Sequence, residues 1–368
     1  MWGKTASIVL LLLTPFAVAK SKDNPKVPLP PDLLLQGGRK LTYERSFRTE
    51  KEVRGKPGFW SKVLNVVAGE PDFREMIRPY SIAVDSHGRA IITDPGAKGV
   101  HIFDFEQHKY KFIQRAEKDK DPMLAPQCVA VDAQDNFYVT DSESGKIFVF
   151  DAGGKFVHAL GSLKGGEGYY KRPTGIAVDS AAQKIYVTDT LRDKIFVLDM
   201  QGQVIKTFGQ QGTGKGEFHF PTELRLDDHS SDGHGSDDHS PDDHSLMVVD
   251  AMNFRVQWVD RNNGAFEGAI GEVGDSVGYM FRPKGIGLDS EGHLYIVDGL
   301  TGVVQVFDRE GRLLFYFGGK GQELGEFQLP AGIFVDRNDR IFVVDSFNRR
   351  VQVYHYYGLP KQARGATP

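Results

Sequence analysis

Pro173-Thr-Gly-Ile-Ala-Val-Asp179 decides the fold, because the chain repeats it. Its counterparts are Pro79-Tyr-Ser-Ile-Ala-Val-Asp85, Pro126-Gln-Cys-Val-Ala-Val-Asp132, Pro221-Thr-Glu-Leu-Arg-Leu-Asp227, Pro283-Lys-Gly-Ile-Gly-Leu-Asp289 and Pro330-Ala-Gly-Ile-Phe-Val-Asp336. Successive prolines stand 47, 47, 48, 62 and 47 residues apart. One supersecondary unit therefore recurs six times, and only the fourth interval breaks the period.

Each copy continues alike. A polar turn leads to a strand ending in aspartate, such as Tyr186-Val-Thr-Asp189. A third strand follows, such as Lys146-Ile-Phe-Val-Phe-Asp151, then a fourth, such as Phe156-Val-His-Ala-Leu160. Short runs of Val, Ile, Phe and Tyr between Gly, Asp and Asn turns predict antiparallel meanders. Four strands per copy and six copies predict an all-β, six-bladed propeller. The sixth copy has only three strands, ending in Val351-Gln-Val-Tyr-His-Tyr-Tyr357. Lys40-Leu-Thr-Tyr-Glu-Arg-Ser-Phe47 precedes the first copy and resembles the fourth strand Arg312-Leu-Leu-Phe-Tyr-Phe317. It is expected to complete blade six and close the ring. Phe59, Trp60, Val63, Leu64 and Val67 fall at helical spacing, which predicts a short helix laid against the propeller.

The remaining segments frame this domain. Residues 1–19 read as a signal peptide, with Lys4 before an apolar core from Ile8 to Leu13 and a small-residue site at Ala17-Val18-Ala19. The core is too short for a membrane span. Residues 20–39 read as a polar linker, 40–358 as the propeller and 359–368 as a tail. The expectation is a monomeric protein, secreted or periplasmic and not integral to a membrane. A formal net charge of -4, with no basic stripe, argues against nucleic acid as a partner. With one cysteine, Cys128, neither an intramolecular disulfide nor a thiolate cluster can form. Its apolar neighbours predict a buried free thiol.

The repeats resemble NHL repeats. The likeness rests on Pro-Thr-Gly-Ile-Ala-Val-Asp, on Gly212-Thr-Gly-Lys-Gly-Glu-Phe-His-Phe-Pro221 with its copy Gly321-Gln-Glu-Leu-Gly-Glu-Phe-Gln-Leu-Pro330, and on Asp345-Ser-Phe-Asn-Arg-Arg-Val-Gln-Val. It covers roughly Arg78 to Tyr357. With the signal peptide and the closing strand, the chain is similar to bacterial exported members. The resemblance implies the propeller. For function it implies only a range: protein- and RNA-binding modules, extracellular sensors and a few enzymes.

Ligands of such propellers sit at the central channel, so the residue after each proline is informative: Tyr80, Gln127, Thr174, Thr222, Lys284 and Ala331. Peptide-amidating lyases, which the repeat resembles most among enzymes, place zinc-binding histidines just there, and this chain has none. Lactonase-type propellers hold calcium with Glu, Asn and Asp. Glu223 stands where other copies have Gly, Ser or Cys, and Asn253 and Asn348 lie in the matching loops. Asn followed two residues on by Arg also belongs to the repeat, which makes these turn asparagines with structural arginines. The recurrent Asp94, Asp141, Asp189, Asp250, Asp298 and Asp345 are expected to accept backbone N–H bonds.

The favoured reading is a noncatalytic module that presents loops to a protein or small ligand outside the cytoplasm. Its ligand face would carry Tyr80, Gln127, Thr174, Thr222, Glu223 and Lys284, ringed by Arg192, Phe254, Arg255, Phe347 and Arg349. The alternative is a divalent-metal hydrolase or lyase. No cofactor is required. Residues 227–245 form an Asp/His-rich insertion in blade four, with His229, His234, His239 and His244 at intervals of five among seven aspartates. Such a tract is expected to bind zinc or a similar ion weakly. It should project from the face opposite the ligand mouth.

Overall fold

The computed structural model describes residues 28–54, 73–115, 122–163, 168–227 and 245–359. The predicted helix at 59–68, the signal segment and the four histidines of the insertion lie outside these residues.

Six antiparallel sheets form six blades. Blade three is typical: Pro173–Asp179, Lys184–Asp189, Lys194–Asp199 and Val204–Phe208 pair in sequence order. The first strand of each blade touches the first strand of the next, so these strands form the inner ring. Blades face one another, and each facing pair encloses its own apolar core. Tyr138, Ile147 and Leu160 of blade two meet Ile176, Val187 and Phe196 of blade three. Six such cores occupy the six boundaries. Burial therefore depends on the ring being closed, as each blade hides its two faces only against neighbours.

Closure runs as the repeat predicts. Lys40–Phe47 pairs antiparallel with Arg350–Tyr357, outside Arg340–Asp345 and Ile333–Val335. Leu41 enters the core between blades five and six, and Phe47 the core between blades six and one. Leu33–Leu34, read from sequence as linker, adds a fifth, outermost strand to this blade. Glu291 in a turn of blade five then fastens both arms: it accepts from Arg39 Nε at 2.9 Å, Tyr356 Oη at 3.1 Å and the Leu359 amide at 2.8 Å.

The recurrent aspartates hold the loops. Asp141 accepts from the amides of Leu124, Ala125 and Ser144 at 2.7, 3.0 and 2.9 Å. Asp94, Asp189 and Asp298 likewise take the two amides just ahead of their blade's first proline. Each carboxylate thus ties the lead-in of the first strand, as well as its own loop, to the end of the second strand. Asp85, Asp132, Asp289 and Asp336 close the first hairpins, each taking two amides of its turn. In blade four the hairpin stays in register to its last pairs, Leu226 with Leu246 and Asp227 with Ser245. Asp227 and Ser245 are therefore strand ends, and the insertion proper is residues 228–244. Asp227 is held by Arg309, with Nη2 to Oδ1 at 2.7 Å, and by Trp258 Nε1 at 3.0 Å.

Candidate functional site at the channel mouth

The first strands pass very close to one another near their starts. A methyl group on Gly175 would lie 2.4 Å from the Thr222 carbonyl oxygen, and one on Gly285 2.7 Å from that of Ala331. Small residues are therefore the rule at the third position of the repeat: Ser81, Cys128, Gly175, Gly285 and Gly332. Glu223 breaks it. Two residues further along the strand, where other blades have Ala83, Ala130, Ala177 or Gly287, blade four places Arg225 and blade six Phe334.

These outliers meet inside the channel. Arg225 Nη2 lies 2.9 Å from Glu223 Oε1 and donates to the Ile333 carbonyl at 3.2 Å, and its guanidinium lies 5.7 Å from the Phe334 ring centroid. The Cys128 thiol is 3.8 Å from Glu223 Oε1 and 3.4 Å from the Ser81 hydroxyl. Blades one, two, four and six so contribute to a plug across the axis. Burial pushes the Glu223 carboxyl up while Arg225 pulls it down. Burial, then the Glu223 charge, raises Cys128 to about 11. The thiol is buried and protonated, as its apolar neighbours suggested.

Above the plug lies the ring formed by the second position of the repeat. Threonines on second strands fix half of it. Thr188 Oγ1 accepts the Gly175 amide at 2.7 Å and donates to the Thr222 carbonyl at 2.7 Å in the next blade. Thr93 and Thr140 make the same stitch to Gln127 and Thr174. Blades four to six carry Val249, Val297 and Val344 there, which have no hydroxyl to offer. Lys284 sits in this unstitched half. Its ammonium lies 5.8 Å from the ring centroid of Tyr80, on the far side of blade six. Burial first, then the charges of Arg282 and Arg172, lower Lys284 to about 8. Burial also raises the Tyr80 phenol, so it stays protonated.

The structure sorts the sequence-predicted residues. Tyr80, Gln127, Thr222 and Lys284 share the ring directly over Glu223. The Thr222 hydroxyl is buried and has no partner among the described residues. Thr174 is a correction: it is buried, and its hydroxyl is spent on Thr188, Thr190 and the Thr222 carbonyl. Arg255 is another. Its Nε binds Asp250 at 2.9 Å and its Nη2 donates to the carbonyls of Gly214 and Glu217 at 2.7 and 3.0 Å. Asn253 donates to Gly212 and Asp250, and Asn348 and Arg350 repeat the set in blade six. These are turn asparagines with structural arginines, so among the described residues no Glu-Asn-Asp calcium set converges on Glu223. Phe254 packs half-buried against the core between blades four and five. Arg192 bonds to Asp189 and the Tyr169 carbonyl and covers the Tyr169 ring at 5.2 Å. Phe347, 52% exposed, and Arg349 stand free on the face.

Sequence reasoning missed four arginines near these residues. Arg225 was readable as an outlier in a column of small residues. Arg172 and Arg282, with Arg78, precede the first-strand prolines of blades three, five and one, and all three are exposed. Ile77, Leu191, Met252 and Phe281 add exposed apolar surface on the same side. At the opposite mouth the channel opens into a cavity of about 400 Å³, walled by Ala130, Ala177 and Phe334 and rimmed by Asp85, Asp132 and Asp336.

Five four-stranded blades and a sixth with an added outer strand, set around a plugged channel, define a β-propeller. The chain belongs to the DUF5128 family of 6-bladed beta-propellers, whose profile matches residues 127–187, 180–232 and 282–363. No curated protein matches it in sequence. Among solved structures it is similar in fold to a Bacteroides thetaiotaomicron protein described as of unknown function, at 15% identity and a TM-score of 0.58 over 89% of this chain and 84% of that one. It is similar to an auxiliary nutrient binding protein of the same organism, at 13% identity and 0.55 over 77% and 70%. Virginiamycin B lyase from Staphylococcus aureus also shares the fold, at 13% identity and 0.52 over 86% and 99%. No helix among the described residues is long and apolar enough to cross a membrane.

Proposed function

We propose that the protein is a noncatalytic binding module acting outside the cytoplasm, and that its ligand docks at the mouth ringed by Tyr80, Gln127, Thr222 and Lys284. The observation that carries this reading is the plug. Glu223 and Arg225, side by side on the first strand of blade four, satisfy one another, and Arg225 reaches the Ile333 carbonyl of blade six, so the mouth has a floor on which a ligand can rest. Both side chains are committed to one another, whereas the hydrolase or lyase reading requires a group free to move a proton or hold a metal. The rim suits recognition, as exposed Phe347, Phe281, Met252 and arginines are side chains that carry interface energy. The nutrient-binding neighbour supports a small-ligand role by analogy of fold alone.

The test is capture from the native exported fraction, with and without chelator. Wild type should retain a ligand or partner irrespective of chelator, and Phe347→Ala should weaken retention with the melting temperature unchanged. Retention that depends on a metal, or that ignores Phe347, would reject this face.

A further inference from the structure

We propose that the ring over the plug is an oxyanion site, receiving a carboxylate, phosphate or sulfate group of a small ligand on Lys284. The inference rests on the mouth being the ligand face and adds the chemistry of what enters it.

The site is made of donors that the protein leaves unused. Lys284 forms no ion pair among the described residues, and its ammonium stands over the Tyr80 ring, 5.8 Å from the centroid. The hydroxyl of Thr222 is buried without a partner. The Tyr80 phenol and the Gln127 amide make no hydrogen bond with described residues either. These four side chains come from blades one, two, four and five, at one level of the channel. Contrast Thr174 at the same level, whose hydroxyl is saturated by three neighbours. A buried hydroxyl left unpaired, like that of Thr222, and a half-buried ammonium without a counter-charge both disfavour the empty site, and a ligand acceptor would relieve both.

Charge points the same way. Facing Lys284 are Arg282 at the head of its own strand, Arg172 from blade three and Tyr80 from blade one. Both arginines repel its charge. Glu223 is already paired with Arg225 at 2.9 Å beneath. An oxyanion placed over the plug would accept from Lys284, Thr222, Tyr80 and Gln127, and would relieve the repulsion among three cations. A bound anion should therefore raise the Lys284 pKa. Anion binding should weaken as pH rises through about 8, where the free ammonium is lost.

The probes are sulfate, inorganic phosphate and acetate, titrated against chloride at matched ionic strength. The readout in the full chain is the side-chain NMR signal of Lys284 and, so that Lys284→Met can be read as well, that of the Gln127 side-chain amide. Sulfate does not titrate in this range, so it serves for the pH arm, and acetate against phosphate separates carboxylate from phosphate preference. We expect saturable shifts, at least a tenfold weaker affinity in Lys284→Met, a smaller loss in Tyr80→Phe, and a fall above pH 8. Shifts that do not saturate, or equal affinity in Lys284→Met, would overturn the site. If ligand capture needs Phe347 but ignores both Lys284→Met and added sulfate, the mouth remains the ligand face and the oxyanion inference fails. If sulfate binds Lys284 while no mouth variant alters capture, the oxyanion site stands and the wider reading falls.

Discussion

Phe47 pairs with Val351 in the ladder that joins the first long strand of the propeller to its last. Phe47 is 1% exposed and its ring lies 5.0 Å from that of Phe103 in blade one. One side chain thus belongs to the closing strand by hydrogen bonding and to the next blade by packing. Phe47→Ala should cost about 3–5 kcal/mol, the usual loss for a truncated buried aromatic. Denaturant melts would show it, and a loss below about 1 kcal/mol would mean that the closing strand is dispensable.

Lys284 should make the fold less stable at neutral pH. Its folded value of about 8 lies below the value of about 10.4 for an unfolded lysine. Between these limits the unfolded chain holds the extra proton, so stability should rise from pH 8 to pH 10. Below pH 8 the cost of the buried ammonium is paid in full. Lys284→Met should remove it and stabilise the protein by on the order of 2 kcal/mol at pH 7. A destabilised Lys284→Met variant would show that the ammonium has a structural partner.

The plug should behave as a coupled pair. Arg225→Met strands the Glu223 carboxylate in the channel, a change that typically costs about 3–5 kcal/mol. Adding Glu223→Leu should restore much of that loss, because two apolar groups replace two charges. A double-mutant cycle reads the coupling directly, and additive losses would show that the two side chains do not depend on each other.

The insertion in blade four should be removable. The hairpin is complete at Asp227 and Ser245, and Arg309 and Trp258 hold its end from outside. Replacing residues 228–244 with Asn-Gly should leave the melting temperature within a few degrees and abolish the zinc uptake expected of His229, His234, His239 and His244. That uptake should be weak and fall below about pH 6, where free imidazoles take up protons. Calorimetry with zinc on both proteins checks this, and equal heats would place any metal elsewhere.

Legibility followed periodicity. The blades were readable because Pro, Asp and the apolar strands recur at fixed spacing, and the split sixth blade followed from counting strands. Glu223 was visible as a large residue in a column of small ones. Arg225 carried the same signal two residues later. Leu33–Leu34 was hidden, since a two-residue strand has no period to detect. Lys284 was picked out by its position, but its isolation was not legible. That depends on Arg172 and Tyr80 arriving from other blades, and no local pattern encodes distances across a ring. Arg255 shows the reverse error: its repeat context marked it as structural, while its charge alone kept it among ligand residues.

Closure by strands from opposite ends of the sequence also sets the order in which the molecule can form. Thr42 bonds to the carbonyl of His355, 313 residues away. Until the last blade emerges, residues 40–47 have no mate, and the boundaries between blades five, six and one stay open. A contact of such long range comes late and slowly, because the entropy of joining distant segments is spent before the contact gives anything back. The half-made disc has two raw β-edges, the sort that pair with other chains. Refolding from denaturant should show blades gaining structure before the ring locks, and aggregation should compete most strongly in the interval between these events.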